Sequence, residues 1–120
     1  RAARPAQGAS GSPAEELGWL SCGAISLSPE ARTATAAGVE LPLTRKEFDL
    51  LRILLEHKGR VLTREQLLER VWGVSFVGET RTVDMHVKTL RKKLAAAAPG
   101  AEEAIGTVRG VGYRMREIAL

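Results

Sequence analysis

RTVDMHVKTLRKKL, residues 81–94, is the stretch on which the fold turns. Val83, Val87, Leu90 and Leu94 recur at helical spacing and make one apolar stripe. Arg81, Met85, Lys88 and Lys92 fall on the opposite side of the wheel, with Thr89 at its edge. A helix that buries one stripe and offers cations and hydroxyls on the other suits a nucleic-acid groove. By itself the pattern is also that of an ordinary solvated surface helix. The flanking sequence has to decide between the two.

Upstream, residues 43–58 predict a helix. Thr44-Arg45-Lys46-Glu47 is a capping box, in which the Thr44 hydroxyl and the Glu47 carboxylate satisfy free amides of the first turn. Phe48, Leu51, Leu54 and Leu55 form its buried face, and Gly59 is its stop. Arg60-Val61-Leu62 reads as a brief extended link. Thr63-Arg64-Glu65-Gln66 is a second capping box, opening a short helix with Leu67, Leu68, Val71 and Trp72 inward and Gly73 at its end. Residues 73–79, GVSFVGE, read as a loop, and Phe76 within it either plugs the core or is displayed to a partner.

Downstream, the alanines of AAAAPG (95–100) extend the third helix and Pro99-Gly100 stops it. Residues 104–116, AIGTVRGVGYRMR, predict a hairpin. Gly110 and Gly112 allow the reversal and Arg109 stands at the tip. Before the helices, residues 19–41 alternate small, apolar and turn-forming residues, which fits three or four short antiparallel strands. Their Ala- and Thr-rich faces need a helical layer over one side. Residues 1–17 are rich in Ala, Gly, Ser and Pro and read as a flexible interdomain linker, leaving 18–120 as one domain. The chain opens on Arg and its first Met is Met85, so a further segment is expected upstream.

Charge supports a polyanionic partner. Segment 81–116 carries eight Lys and Arg against three Asp and Glu, a larger excess than the whole chain's +4. Cys22 is the single cysteine, so no intrachain disulfide is possible, and it reads as a core residue in a reducing cytoplasm. No apolar run approaches membrane-spanning length, and no membrane partner is expected. Cys22, His57 and His86 lack metal-ligand spacing, and neither a phosphate loop nor a nucleophile elbow is present. No metal, cofactor or catalytic residue is therefore expected. Trp19, Phe48, Trp72, Phe76 and Tyr113 form no stacking platform for RNA. A winged helix used only to bind protein usually loses the cations of its third helix and wing, and here both keep them.

Three helices followed by a glycine-tipped basic hairpin is the winged form of helix-turn-helix, an α+β fold. The motifs LTRKEFDLLRILLEHKGRVLTREQLLERVWG (43–73), RTVDMHVKTLRKKL (81–94) and TVRGVGYR (107–114) closely resemble the OmpR/PhoB-type effector domain of bacterial two-component response regulators. The resemblance implies an N-terminal four-stranded antiparallel sheet, a three-helix core and a C-terminal β-hairpin wing. It implies transcription control by sequence-specific binding of double-stranded promoter DNA, with the recognition helix (80–97) in the major groove. The wing (104–116) would then lie on the backbone and minor groove. It further implies an upstream receiver domain phosphorylated by a sensor kinase, and head-to-tail homodimers on direct repeats. A contact to RNA polymerase is implied through Val74, Ser75, Phe76, Val77, Gly78 and Glu79.

Carried over by motif, Trp72, Arg81, Thr82, His86, Thr107 and Tyr113 resemble DNA-contacting positions, several of them on phosphates, and Arg109 resembles the wing arginine of the minor groove. Lys88, Thr89, Arg91 and Lys92 lie where the helix faces bases or the nearby backbone. Thr89 departs from relatives that carry Arg there; it offers only one hydroxyl or a methyl contact to thymine. Each position also has a structural reading: Trp72 as core, His86 as a local hydrogen-bond partner, Asp84 as a cap or a partner of Arg81 or Lys88. Arg91 and Lys93 alternatively pair with acids on the first helix.

Overall fold

Two packed layers, a small antiparallel sheet and a helical trio, frame the candidate interface. The computed structural model describes residues 18–73 and 77–118. Strands β1 (Leu20–Cys22), β2 (Ile25–Ser28), β3 (Thr33–Ala36) and β4 (Val39–Glu40) form a four-stranded antiparallel meander in that order. The alternation in the sequence sets its faces: Ile25, Leu27, Ala34 and Ala36 are buried while Ser26, Thr33 and Thr35 are half-buried. Cys22 is buried on the same core, as expected, and burial pushes its thiol pKa up.

Helix α1 (Arg45–Glu56) covers that face with Phe48, Leu50, Leu51, Leu54 and Leu55. Its capping box is present in both directions, Thr44 accepting from the Glu47 amide and Glu47 accepting from the Thr44 amide. The helix ends with His57 as its cap, two residues before the expected Gly59 stop.

The segment expected to be a link is instead strand β5 (Val61–Thr63), paired antiparallel with the last strand of the hairpin. Its Thr63 caps α2, which runs from Arg64 through Leu67 and widens into a π-helical turn, Leu68–Trp72. Gly73 stops it at φ 75°, a left-handed geometry that glycine adopts without steric cost.

A short 3-10 turn (Val77–Glu79) leads into α3 (Thr80–Ala97). Val83, Val87, Leu90 and Leu94 are each 1% exposed or less, so the predicted stripe is the seam between α3 and the rest of the core. Burying each leucine stabilises the domain by about 2 kcal/mol. A second 3-10 turn (Ala101–Ala104) then delivers the chain to the hairpin, β6 (Ile105–Val108) and β7 (Gly112–Met115).

The hairpin is therefore part of a three-stranded sheet in the order β5-β7-β6, not a free pair. Gly112 is not there for the reversal. A Cβ at Gly112 would lie 1.9 Å from the Leu62 carbonyl oxygen, so the close approach of β5 to β7 excludes any side chain. Gly110, at φ 74°, is the glycine the turn needs. The linker assigned to 1–17 and the loop residues Val74, Ser75 and Phe76 lie outside the described residues.

Candidate nucleic-acid interface

With its stripe buried, α3 presents Arg81, Met85, Lys88 and Lys92 outward, all exposed. Arg109 is exposed at the hairpin tip beside Gly110. Among the described residues, Arg81, Lys88, Lys92 and Arg109 have no hydrogen-bond or ion-pair partner, so four full charges face solvent uncompensated. An array of this kind raises local positive potential and attracts a polyanion.

A second group of predicted residues is held from behind. His86 Nδ1 lies 2.9 Å from the Thr82 carbonyl oxygen, which can only accept, so Nδ1 carries the proton. Its ring meets Trp72 edge-on, with centroids 4.8 Å apart. Trp72 is half-buried. Lys46 places its ammonium 5.9 Å from the ring centroid while donating to the Val71 carbonyl. The sequence patterns that place Trp72 and His86 on separate helices do not reveal this stack.

Asp84 pairs with neither Arg81 nor Lys88. It accepts from Arg64 on α2 at 3.1 Å and from the Tyr113 hydroxyl at 2.6 Å. Tyr113 is thus buried with its hydroxyl turned toward α3, and burial, followed by the neighbouring Asp84 carboxylate, raises its pKa. Arg91 likewise departs from expectation. Its guanidinium donates to the Ile105 carbonyl (2.6 and 3.1 Å) and to the Thr107 hydroxyl (2.7 Å), and stacks 5.6 Å from the Tyr113 ring centroid. Its partners are in the wing, not on the first helix. Two clamps, Asp84–Tyr113 and Arg91–Thr107, therefore tie the wing to α3 at a set angle.

Lys93 does pair with an acid on the first helix. It donates to Glu47 at 2.6 Å and to the Pro42 carbonyl at 2.8 Å. The Thr89 hydroxyl donates to the other Glu47 oxygen at 2.7 Å. Burial pushes the Glu47 carboxyl up, but the hydrogen bonds from Lys93, the Thr44 amide and Thr89, with the Lys93 charge, outweigh it and hold the pKa at about 2. The sequence marks Glu47 as a capping residue and, among the first-helix acids, as a candidate partner for Lys93. Nothing local to residue 47 signals that its second oxygen reaches α3.

Among the described residues no group of three or more His, Cys, Asp or Glu is placed to share a metal ion, and no helix is long and apolar enough to cross a membrane.

Known proteins resemble this chain in sequence and fold. Residues 38–115 match the family model for the C-terminal domain of transcriptional regulatory proteins. The regulatory protein VanRB of Enterococcus faecalis is 48% identical over 95 residues, covering 79% of this chain and 40% of VanRB. The chain thus spans less than half the length of that relative. The DNA-binding domain of RstA from Klebsiella pneumoniae, solved in complex with the RstA box, superposes with a TM-score of 0.71 at 34% identity. That match covers 82% of this chain and 96% of the RstA chain. The DNA-binding domain of CpxR from E. coli gives 0.73 at 36% identity, covering 84% and 98%. The family is one of transcription regulators and not of enzymes. With a four-stranded sheet, three helices and a wing in the family's order, the chain belongs to the OmpR/PhoB-type winged-helix domains, the DNA-binding output domains of two-component response regulators.

Proposed function

We propose that this domain reads a specific double-stranded promoter sequence, with α3 in the major groove and the wing across the backbone, Arg109 entering the minor groove. The observation that carries this reading is the set of uncompensated cations, Arg81, Lys88 and Lys92 on one face of α3 and Arg109 at the wing tip. A groove-docked helix uses such cations on phosphates and base edges, and a narrow minor groove concentrates negative potential for the arginine. RstA, a neighbour in fold, was solved on its own DNA box, which supports the same use here. Trp72 keeps its indole N–H available for a phosphate, His86 braces the Trp72 ring edge-on, and Thr82 lies half-buried between Arg81 and the stripe. Arg91, Thr107 and Tyr113 act mainly by setting the wing's angle.

In the full-length protein we assign this domain to the C-terminal side of a receiver that a sensor kinase phosphorylates, in the cytoplasm. It would bind direct repeats as head-to-tail homodimers and meet RNA polymerase through residues 73–80. Selection of bound duplexes from a random pool, followed by filter-binding titrations across salt, tests the central claim. Lys88→Ala is expected to weaken binding to all sequences and to reduce the log–log salt slope by about one. An absence of salt-sensitive DNA affinity in the wild-type domain would refute the reading.

A further inference from the structure

Thr89 stands on the face assigned to the groove, yet its one hydroxyl proton is already used. Its single proton goes to Glu47 at 2.7 Å, and the His86 carbonyl lies 3.1 Å from the same oxygen. Both acceptors lie on the protein side, and Glu47 is itself buried and fixed by Lys93 and the Thr44 amide. With the hydroxyl drawn to Glu47, the Cγ2 methyl of the exposed Thr89 is the group left for an apolar contact. One helical turn earlier stands Met85, 59% exposed and placed opposite the buried stripe. Residues four apart on a helix are neighbours, so the Met85 thioether and the Thr89 methyl form one apolar strip. Arg81, Lys88 and Lys92 border it.

We infer that this strip reads thymine, packing Met85 and the Thr89 methyl on the C5-methyl groups of adjacent base pairs. The inference rests on the placement of α3 in the major groove proposed above. In that groove thymine alone among the standard bases displays a methyl group, and apolar contact is how side chains recognise it. The cations on either side hold the backbone and set the register; they carry no base information themselves when they meet phosphates. Glu47 favours the methyl reading at residue 89, because it draws the hydroxyl proton to the protein side.

The test replaces each thymine of a selected high-affinity duplex, one at a time, by deoxyuridine, which lacks only the C5 methyl. Wild-type binding is expected to fall about fourfold for each methyl that the strip buries. Thr89→Val keeps the methyl and drops the hydroxyl, and should keep the full thymine-over-uracil ratio. Thr89→Ser keeps the hydroxyl and drops the methyl, and should abolish the ratio at one position. Met85→Ala should abolish it at a neighbouring position. No thymine sensitivity in the wild type, or a ratio kept by Ser and lost by Val, would overturn the inference while leaving groove binding intact. If the wild type selects no sequence at all, the groove placement falls and the inference falls with it.

Discussion

Replacing Glu47 by glutamine is expected to remove the acid limb of this domain's stability curve. The carboxyl is held at about 2, against an ordinary glutamate value of 4.5. At 1.36 kcal/mol for each unit of difference, the ionised form stabilises the fold by roughly 3 kcal/mol. The Glu47 side chain is 5% exposed, so solvent screening takes little of that away. Because the folded-state value is depressed, the contribution is complete above about pH 4.5 and is lost as pH falls through about 2. Glutamine keeps the shape and an acceptor for the Thr44 amide but carries no charge for Lys93. Urea denaturation followed by Trp19 and Trp72 fluorescence, repeated from neutral to acid pH, measures both proteins. The variant is expected to be less stable by up to about 3 kcal/mol at neutral pH, and the two curves should converge near pH 2. Curves that stay parallel throughout would show that the Lys93, Thr44 and Thr89 contacts do not hold the carboxyl down.

Three further outcomes follow from the wing. Arg109→Ala should weaken specific binding by about 1–3 kcal/mol in a gel-shift titration without moving the melting temperature, since the side chain is exposed and unpartnered among the described residues; no loss would remove Arg109 from the interface. Tyr113→Phe should lower stability by about 1.5–3 kcal/mol, the worth of its 2.6 Å bond to the Asp84 carboxylate; weaker DNA binding with unchanged stability would instead place the hydroxyl on a phosphate. Gly112→Ala should cost about 3 kcal/mol or more in a thermal melt, because its Cβ would collide with the Leu62 carbonyl. A near-neutral effect would mean that β5 and β7 are not so close.

The parts of the fold legible in the sequence were the local ones. Each capping box joins residues three apart, and the α3 stripe repeats every three or four, so both can be read from a short window. Strand β5 could not be read that way. Val61-Leu62-Thr63 has no turn signal of its own, and its partner in β7 is far along the chain. Gly112 reads as a turn glycine for the same reason: its constraint comes from the distant Leu62 carbonyl. The candidate interface divides likewise. Exposed cations follow from the wheel, whereas the sequence points Asp84 to neighbours on its own helix, Arg91 to DNA or to acids on the first helix, and Thr89 to DNA. The structure gives them Arg64, Tyr113, Thr107 and Glu47.

Strand β7 is the inner member of its sheet, and that bears on how the domain assembles. Pairing Leu62 with Tyr113 closes a ring of about 50 residues that contains both α2 and α3, at an entropic cost that grows as the logarithm of ring size, roughly 3–4 kcal/mol. That cost is recovered only when both helices are packed and β6 is in place on the other edge. A fragment ending before Gly112 would retain every helix but expose β5 as an unpaired edge, open to β-strands of other molecules. The wing is thus the closing seam of the domain as well as its proposed reach toward DNA, and the proposed binding surface and the completed fold arrive together.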